Sequence, residues 1–304
     1  MNNMRYTEDQ LKEMAKPASD SEEQRMDNAT RMVRDALVNN GFIRAGDYDI
    51  FPQGSYANNT NIRNNSDIDI NVCYTGAFYF DLPLGKSRYD YGFMHDVEYS
   101  FKQFKDDVEA ILVKKFGRDQ VVRKNKCIHV KENTYRSEID VVPTWEYRRF
   151  YGPRTADYVQ GVKLLPDNGG VVINFPKQHL SNGRTRNINT SQRYKKLVRM
   201  VKRIHLNMEN EGYYKNPRIT SFLLESMVYL LPNTTYFLYS DDFKWNEVLK
   251  KAIVYWYNAT KNDSSDWKGW KEVSELLPLM EGHKWSREDV NEFTVKMWNY
   301  LGYA

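Results

Sequence analysis

Phe51 to Val72 reads FPQGSYANNTNIRNNSDIDINV, and its last six residues already constrain the architecture. Side chains along a strand alternate between faces. Asp67 and Asp69 therefore emerge together, while Ile68, Ile70 and Val72 turn to the other side and can pack in a core. Two carboxylates ~5 Å apart at an effective dielectric of ~20 repel by about 3 kcal/mol, a cost that a bound divalent cation reverses. Upstream, Gly54-Ser55 follows a short strand at Tyr48 to Pro52, with eleven residues between Ser55 and Asp67. A glycine turn opening a short helix there aims backbone N–H groups and a hydroxyl at a phosphate. Further on, Glu138 to Arg148 begins EIDVV, with Ile139 and Val141 facing inward and Asp140 emerging with Glu138 on the opposite side. Asp140 is the candidate third member of a triad with Asp67 and Asp69. A calcium loop is excluded: Asp67, Asp69 and Asn71 match its first half, but Val72 stands where Gly is needed and Phe78 where the bidentate Glu belongs.

The rest of the first half alternates strands with amphipathic helices. Helices are expected around Thr7 to Lys16 and from Ser21 to Asn40. The second is capped by Ser19, stopped by Gly41, and striped with Met26, Ala29, Val33, Ala36 and Leu37. Further strands are expected at Gln120 to Lys124 and Cys127 to Lys131, and a helix over Met94 to Phe116. From Thr190 the texture becomes helical: Thr190 to Met208, Thr220 to Leu231, Trp245 to Asn258, Trp267 to Leu279 and Arg287 to Tyr300. Pro166 to Asn189, rich in Gly, Asn and Pro, reads as a connector with one short strand at Val171 to Asn174. The expected fold class is α+β, with a first domain over 1–170 that includes the N-terminal helix and a mainly helical second domain over 171–304.

At 304 residues, with 41% hydrophobic, 14% aromatic and 28% charged residues, the chain can bury a core and is not a disordered or repetitive protein. Its most apolar stretch, Phe222 to Leu231, holds Glu225 and is half the length a bilayer requires, so no membrane association is expected. Residues 1–16 lack the apolar segment of a secretory signal, and the expected location is cytoplasmic. Cys73 and Cys127 form no C-x-x-C pair, and the five histidines show no zinc spacing. The net charge of +4 is mild, but Ser181 to His205 carries eight Lys or Arg residues and no acid. In that stretch Tyr194, Leu197, Val198, Val201 and Ile204 form a buried stripe, flanked by a row of Lys195, Arg199 and Lys202 that repels itself unless it meets a counter-ion.

Gly-Ser, then DID on a strand, then EIDVVP about seventy residues on, resembles the polymerase-β nucleotidyltransferase superfamily. Within it, FPQGSY (Phe51 to Tyr56), INFPKQH (Ile173 to His179), the basic helix and SFLLE (Ser221 to Glu225) resemble the bacterial cGAS-like enzymes (CD-NTases) of anti-phage signalling. The resemblance implies a bilobal protein that binds nucleoside triphosphates in a central cleft. It implies two Mg²⁺ ions, or Mn²⁺, held by Asp67, Asp69 and Asp140, and a cyclic oligonucleotide product acting as a second messenger on an operon-encoded effector. It also implies that Lys202 and Ser221 contact the β- and γ-phosphates beside Gly54 and Ser55, with Lys195 and Arg199 as weaker candidates. Gln53, Asn174, Phe222 and Tyr236 are candidates for base contacts, since amides read base edges and rings stack. No Cys/His cluster could form the zinc insertion of DNA-sensing animal relatives, so no DNA activator is expected, and the chain is expected to be a monomer. Two other readings stay open: a linear transferase acting on RNA or a small-molecule hydroxyl, and a non-catalytic nucleotide-binding protein.

Overall fold

The computed structural model describes residues 4–17, 20–38, 47–62, 68–133, 137–237, 243–263 and 266–303. In chain order its elements are α1 (Glu8–Met14), α2 (Asp20–Val38), β1 (Tyr48–Gln53), α3 (Gly54–Ala57), β2 (Ile68–Asp81), α4 (Phe101–Phe116), β3 (Val121–Arg123), β4 (Ile128–Val130) and β5 (Ile139–Phe150). There follow β6 (Tyr158–Leu164), β7 (Val172–Asn174), α5 (Pro176–Asn189), α6 (Tyr194–Asn210), α7 (Ser221–Tyr229), α8 (Trp245–Thr260) and α9 (Arg287–Tyr300). The expected cap Ser19, the stop Gly41, the carboxylate Asp67 and the side chain of Met26 lie outside the described residues.

The chain forms two compact units. One gathers the described residues of Ser19–Ala57 and Arg63–Lys177; the other gathers those of Met1–Ala18, Asn58–Ile62 and Gln178–Ala304. The long N-terminal helix of the expected first domain, α2, lies in the sheet unit, but α1, which the division at 170/171 counts with the same domain, packs in the helical unit against α6 and α8.

In the sheet unit, β2 and β5 pair in parallel at the centre. β1 is antiparallel to β2, and β5 carries β4 along its first half and β6 along its second, both antiparallel. β3 and β7 lie outermost beside β4 and β6. Ile68, Ile70, Val72, Ile139 and Val141 are buried in these central strands, while Asp69 and Asp140 keep partial exposure, as the alternation predicted. The apolar stripes of α2 (Ala29, Val33, Ala36, Leu37) and α4 (Phe104, Val108, Ile111, Leu112) are buried, and both helices pack on the sheet.

Four expectations are corrected. The helix over Met94 to Phe116 starts only at Phe101, where Ser100 and Gln103 form a capping box; Met94 and Val97 precede it and are exposed. The connector over Pro166 to Asn189 ends in a helix, α5, whose Pro176 suits a first helical position. Trp267 to Leu279 is not a continuous helix: a short 3₁₀ turn at Asp266–Gly269, a left-handed Glu275 (φ 63°) and a Lys271–Pro278 bridge bury Trp270, Val273 and Leu279 by an irregular path. Strand β6 was not expected, and β2 runs on to Asp81 past a bulge between Tyr74 and Phe78.

The helical unit packs its core from the stripe of α6 together with apolar residues of α7, α8 and α9, such as Leu224, Leu249, Trp256 and Phe293. Among the described residues no helix is long and apolar enough to cross a membrane.

The β3–β4 hairpin is tied down by an unusual buried cation. Lys105, on α4, has a side chain that is 1% exposed. It donates to the carbonyls of Lys124 (3.2 Å) and Asn125 (2.8 Å) and pairs with Asp167 at 2.9 Å, which also accepts from Arg123. The Arg123 guanidinium, with Lys105, holds the Asp167 carboxyl down at about 2, below its ordinary value of 3.8. A depressed carboxyl stabilises the fold above its unfolded pKa and loses that contribution as pH falls through the folded one. Asp167→Asn is expected to cost about 1–3 kcal/mol at neutral pH by leaving Lys105 short of its counter-charge, and to flatten the fall in Tm between pH 4 and 2. Thermal melts across that range check this.

Candidate active site

The pairing registers bring four side-chain positions into one row across the sheet. Gln53 on β1 lies opposite Asp69 on β2, Asp69 opposite Asp140 on β5, and Asp140 opposite His129 on β4. Register partners share a face, so the two carboxylates sit side by side at about the 4.8 Å spacing of adjacent strands. Asp140 is therefore neither remote from Asp69 nor turned into the core.

Each member is fixed by a neighbour. The fully buried Asn71 donates to Gln53 Oε1 at 3.0 Å and accepts from the Thr144 hydroxyl at 2.8 Å, which orients the Gln53 amide. Asp140 Oδ1 lies 2.8 Å from His129 Nδ1 and 3.3 Å from Lys124 Nζ. Neither partner was singled out from the sequence, because both come from the β3–β4 hairpin, whose register cannot be read from composition. Burial, reinforced by the Asp140 charge, pushes the Cys127 thiol up to about 12, so the site offers hard carboxylate oxygens and no thiolate.

Gly54 begins α3 immediately after Gln53 with φ +71°, a conformation that favours glycine. A Cβ added there would come within 2.3 Å of Asp69 Oδ2, so the carboxylate rests against the bare Cα of the turn. Gly54 is exposed and Ser55 half-buried. Two adjacent, partly exposed carboxylates of this kind fit a hard divalent cation. Asn174 ends β7 and is exposed.

The helical unit redistributes the remaining candidates. Tyr236 is corrected: it is fully buried, its hydroxyl donates to the Val228 carbonyl at 2.8 Å, and it packs in the core instead of facing a base. Arg199 and Lys202 are buried as well. Arg199 donates to the carbonyls of Ala15 and Asn59, and Lys202 is paired with Glu225 at 2.8 Å. Lys195 is half-buried, and burial, followed by the charges of Arg184 and Arg199, lowers its pKa. Ser221 is exposed at the first position of α7, behind the capping Thr220. Phe222 is partly buried beside His179 and a stacked His283–Trp285 pair.

Residues 37–143 match the model of the nucleotidyltransferase domain, and residues 181–302 match that of the cGAS/DncV-like nucleotidyltransferase C-terminal helical domain. The chain is 50% identical to the cyclic dipyrimidine nucleotide synthase CdnE of Cecembia lonarensis, over 98% of this chain and 99% of that one. It is 36% identical to the enzyme of the same name from Legionella pneumophila, over 97% of each. Among solved structures, the Elizabethkingia meningoseptica CdnE cyclic dinucleotide synthase with GTP and Apcpp superposes with a TM-score of 0.80 at 32% identity, covering 98% of this chain and 100% of that one.

Replacing Gly54 by Ala should force the Asp69 carboxylate off its seat and strain the turn by about 1–2 kcal/mol. The expected result is a Mn²⁺ affinity at least tenfold weaker, read by paramagnetic resonance titration, with Tm lowered by only a few degrees.

Proposed function

The chain belongs to the cGAS/DncV-like nucleotidyltransferase family, and from that premise we infer that it is a cyclic oligonucleotide synthase that joins two pyrimidine nucleoside triphosphates into a cyclic dinucleotide second messenger. The observation that carries the reading is the row Gln53, Asp69, Asp140 with the Gly54 turn against Asp69. The choice of pyrimidines rests on the names of the 50% and 36% identical relatives, both cyclic dipyrimidine synthases.

Asp69 and Asp140 would hold the metal, joined on strand alternation by Asp67. Mg²⁺, two ions in this reading and replaceable by Mn²⁺, supplies charge neutralisation and acidifies the acceptor hydroxyl. The acceptor ribose oxygen attacks the α-phosphorus of the donor in line and pyrophosphate leaves. A second such step between the two nucleotides closes the ring. The protein's part is positioning. His129 and Lys124 hold Oδ1 of Asp140 and so would orient this carboxylate toward the metal. Gly54 and Ser55 offer backbone N–H groups and a hydroxyl to the triphosphate.

In the helical unit, Ser221 offers an exposed hydroxyl and Lys195 a cation crowded by other cations, a state that phosphate oxygens would relieve. Asn174 and Gln53 carry amides suited to a base edge, and Phe222 a ring suited to stacking.

The test is incubation of the purified protein with Mg²⁺ and each radiolabelled NTP, singly and in pairs. Phosphatase-resistant product should form from UTP and CTP, alone or together, and Asp69→Asn or Asp140→Asn should lower its rate at least about 10²-fold. Phosphatase-sensitive ladders would establish a linear transferase instead.

A further inference from the structure

Behind the row Gln53, Asp69, Asp140, and within the same sheet unit, lies a second polar set. Asn71 stands two residues beyond Asp69 on the same face of β2, and Thr144 stands on that face of β5, opposite Cys73. Asn71 is 0% and Thr144 2% exposed, whereas Gln53 is half-buried. A side-chain amide has one accepting end and one donating end, and in a buried position a mismatch at either is costly. Both ends of Asn71 are matched, and in a fixed sense. The Thr144 hydroxyl donates to Asn71 Oδ1 at 2.8 Å, which turns the Asn71 amide nitrogen toward β1, where it donates to Gln53 Oε1 at 3.0 Å. The proton of one hydroxyl thus sets the direction of two amides in series. Cys73 offers no thiolate to draw that proton away: burial pushes its thiol up to about 12, and the S–H donates to the Tyr74 carbonyl at 3.7 Å.

Gln53 is left with its amide nitrogen, which carries two N–H donors, turned away from Asn71. It stands one strand from Asp69, at a spacing of about 4.8 Å. The nucleotide whose ribose oxygen attacks carries its base on the same sugar, so a hydroxyl activated beside Asp69 brings that base within reach of the neighbouring strand. An outward N–H pairs with the O4 carbonyl of uracil but meets the N4 amino group of cytosine donor to donor. We propose that Asn71, directed by Thr144, determines base choice in the acceptor position: it fixes the Gln53 amide with its donors outward and so favours UTP over CTP there. The proposal deepens the synthase reading and rests on it. Asn71 and Thr144, being buried, act through Gln53 and are positioning residues.

The test uses 2′,3′-dideoxyuridine triphosphate as a fixed donor, since it lacks the attacking hydroxyl, and compares UTP with CTP as acceptor in the full chain with Mg²⁺. For the wild type the ratio of kcat/KM for UTP to that for CTP should be at least about tenfold. Asn71→Leu and Thr144→Val, each close to the native shape, should bring it below about threefold with the value for CTP rising, while Thr144→Ser, which keeps the hydroxyl, should retain the wild-type ratio. Thr144→Val covers the case in which Asn71→Leu fails to fold. The proposal is overturned by a wild type that uses CTP as readily as UTP, by an unchanged ratio in both variants, or by an equal loss for the two nucleotides, which would mark a structural role alone. Calorimetric titration of the same proteins with UTP and with CTP separates the two readings. A binding preference for UTP that Asn71→Leu and Thr144→Val abolish, with no transfer product, sinks the synthase reading and upholds the role of Asn71 in base choice. Transfer without that preference does the reverse, and binding of neither nucleotide overturns both.

Discussion

The parallel pairing of β2 with β5 is the contact on which the proposed chemistry rests, because it places Asp69 beside Asp140 in a single hydrogen-bonded register. Parallel strands need a long crossover, and the intervening residues here supply α4 and the β3–β4 hairpin. The same pairing buries Ile68, Ile70, Ile139 and Val141 on the opposite face. A slip of one residue would turn these four outward and both carboxylates inward, so the hydrophobic core enforces the alignment of the acids. The burial of the core and the alignment of the two carboxylates are thus set by one register.

Around that pair the structure places groups whose only evident work is to hold the acids still. The Gly54 Cα makes room for Asp69, and the hairpin carries His129 and Lys124 to Asp140. The hairpin is in turn anchored by the buried Lys105 through the carbonyls of Lys124 and Asn125. In the helical unit a second buried pair joins Lys202 to Glu225 at 2.8 Å. Lys105, Lys202 and Glu225 differ from surface ion-pair members in that each is buried and multiply hydrogen-bonded, which makes loss of a partner costly.

Much of this was legible in the sequence, and for a physical reason. Strand alternation in DIDINV and EIDVV and the apolar stripes of α2, α4 and α6 are periodic signals that survive without tertiary information. α9 falls at the expected residues, Arg287 to Tyr300. What was not legible depends on partners distant in the chain. The polar composition of α5, whose one buried residue is Gly183, leaves no apolar stripe by which a helix could be read. The cationic row Lys195, Arg199, Lys202 read as one group in need of an anionic ligand, yet two of its members are buried against carbonyls and a carboxylate that come from other segments. Tyr236 was read from an irregular neighbourhood and proved to be core. His129 and Lys124 required the β4–β5 register, which composition does not encode.

If the adjacent carboxylates are the metal seat, crystals grown with Mn²⁺ and a non-hydrolysable pyrimidine triphosphate should show anomalous density about 2.2 Å from oxygens of both Asp69 and Asp140. Manganese bound elsewhere, with these two side chains still bonded only to protein, would contradict the assignment.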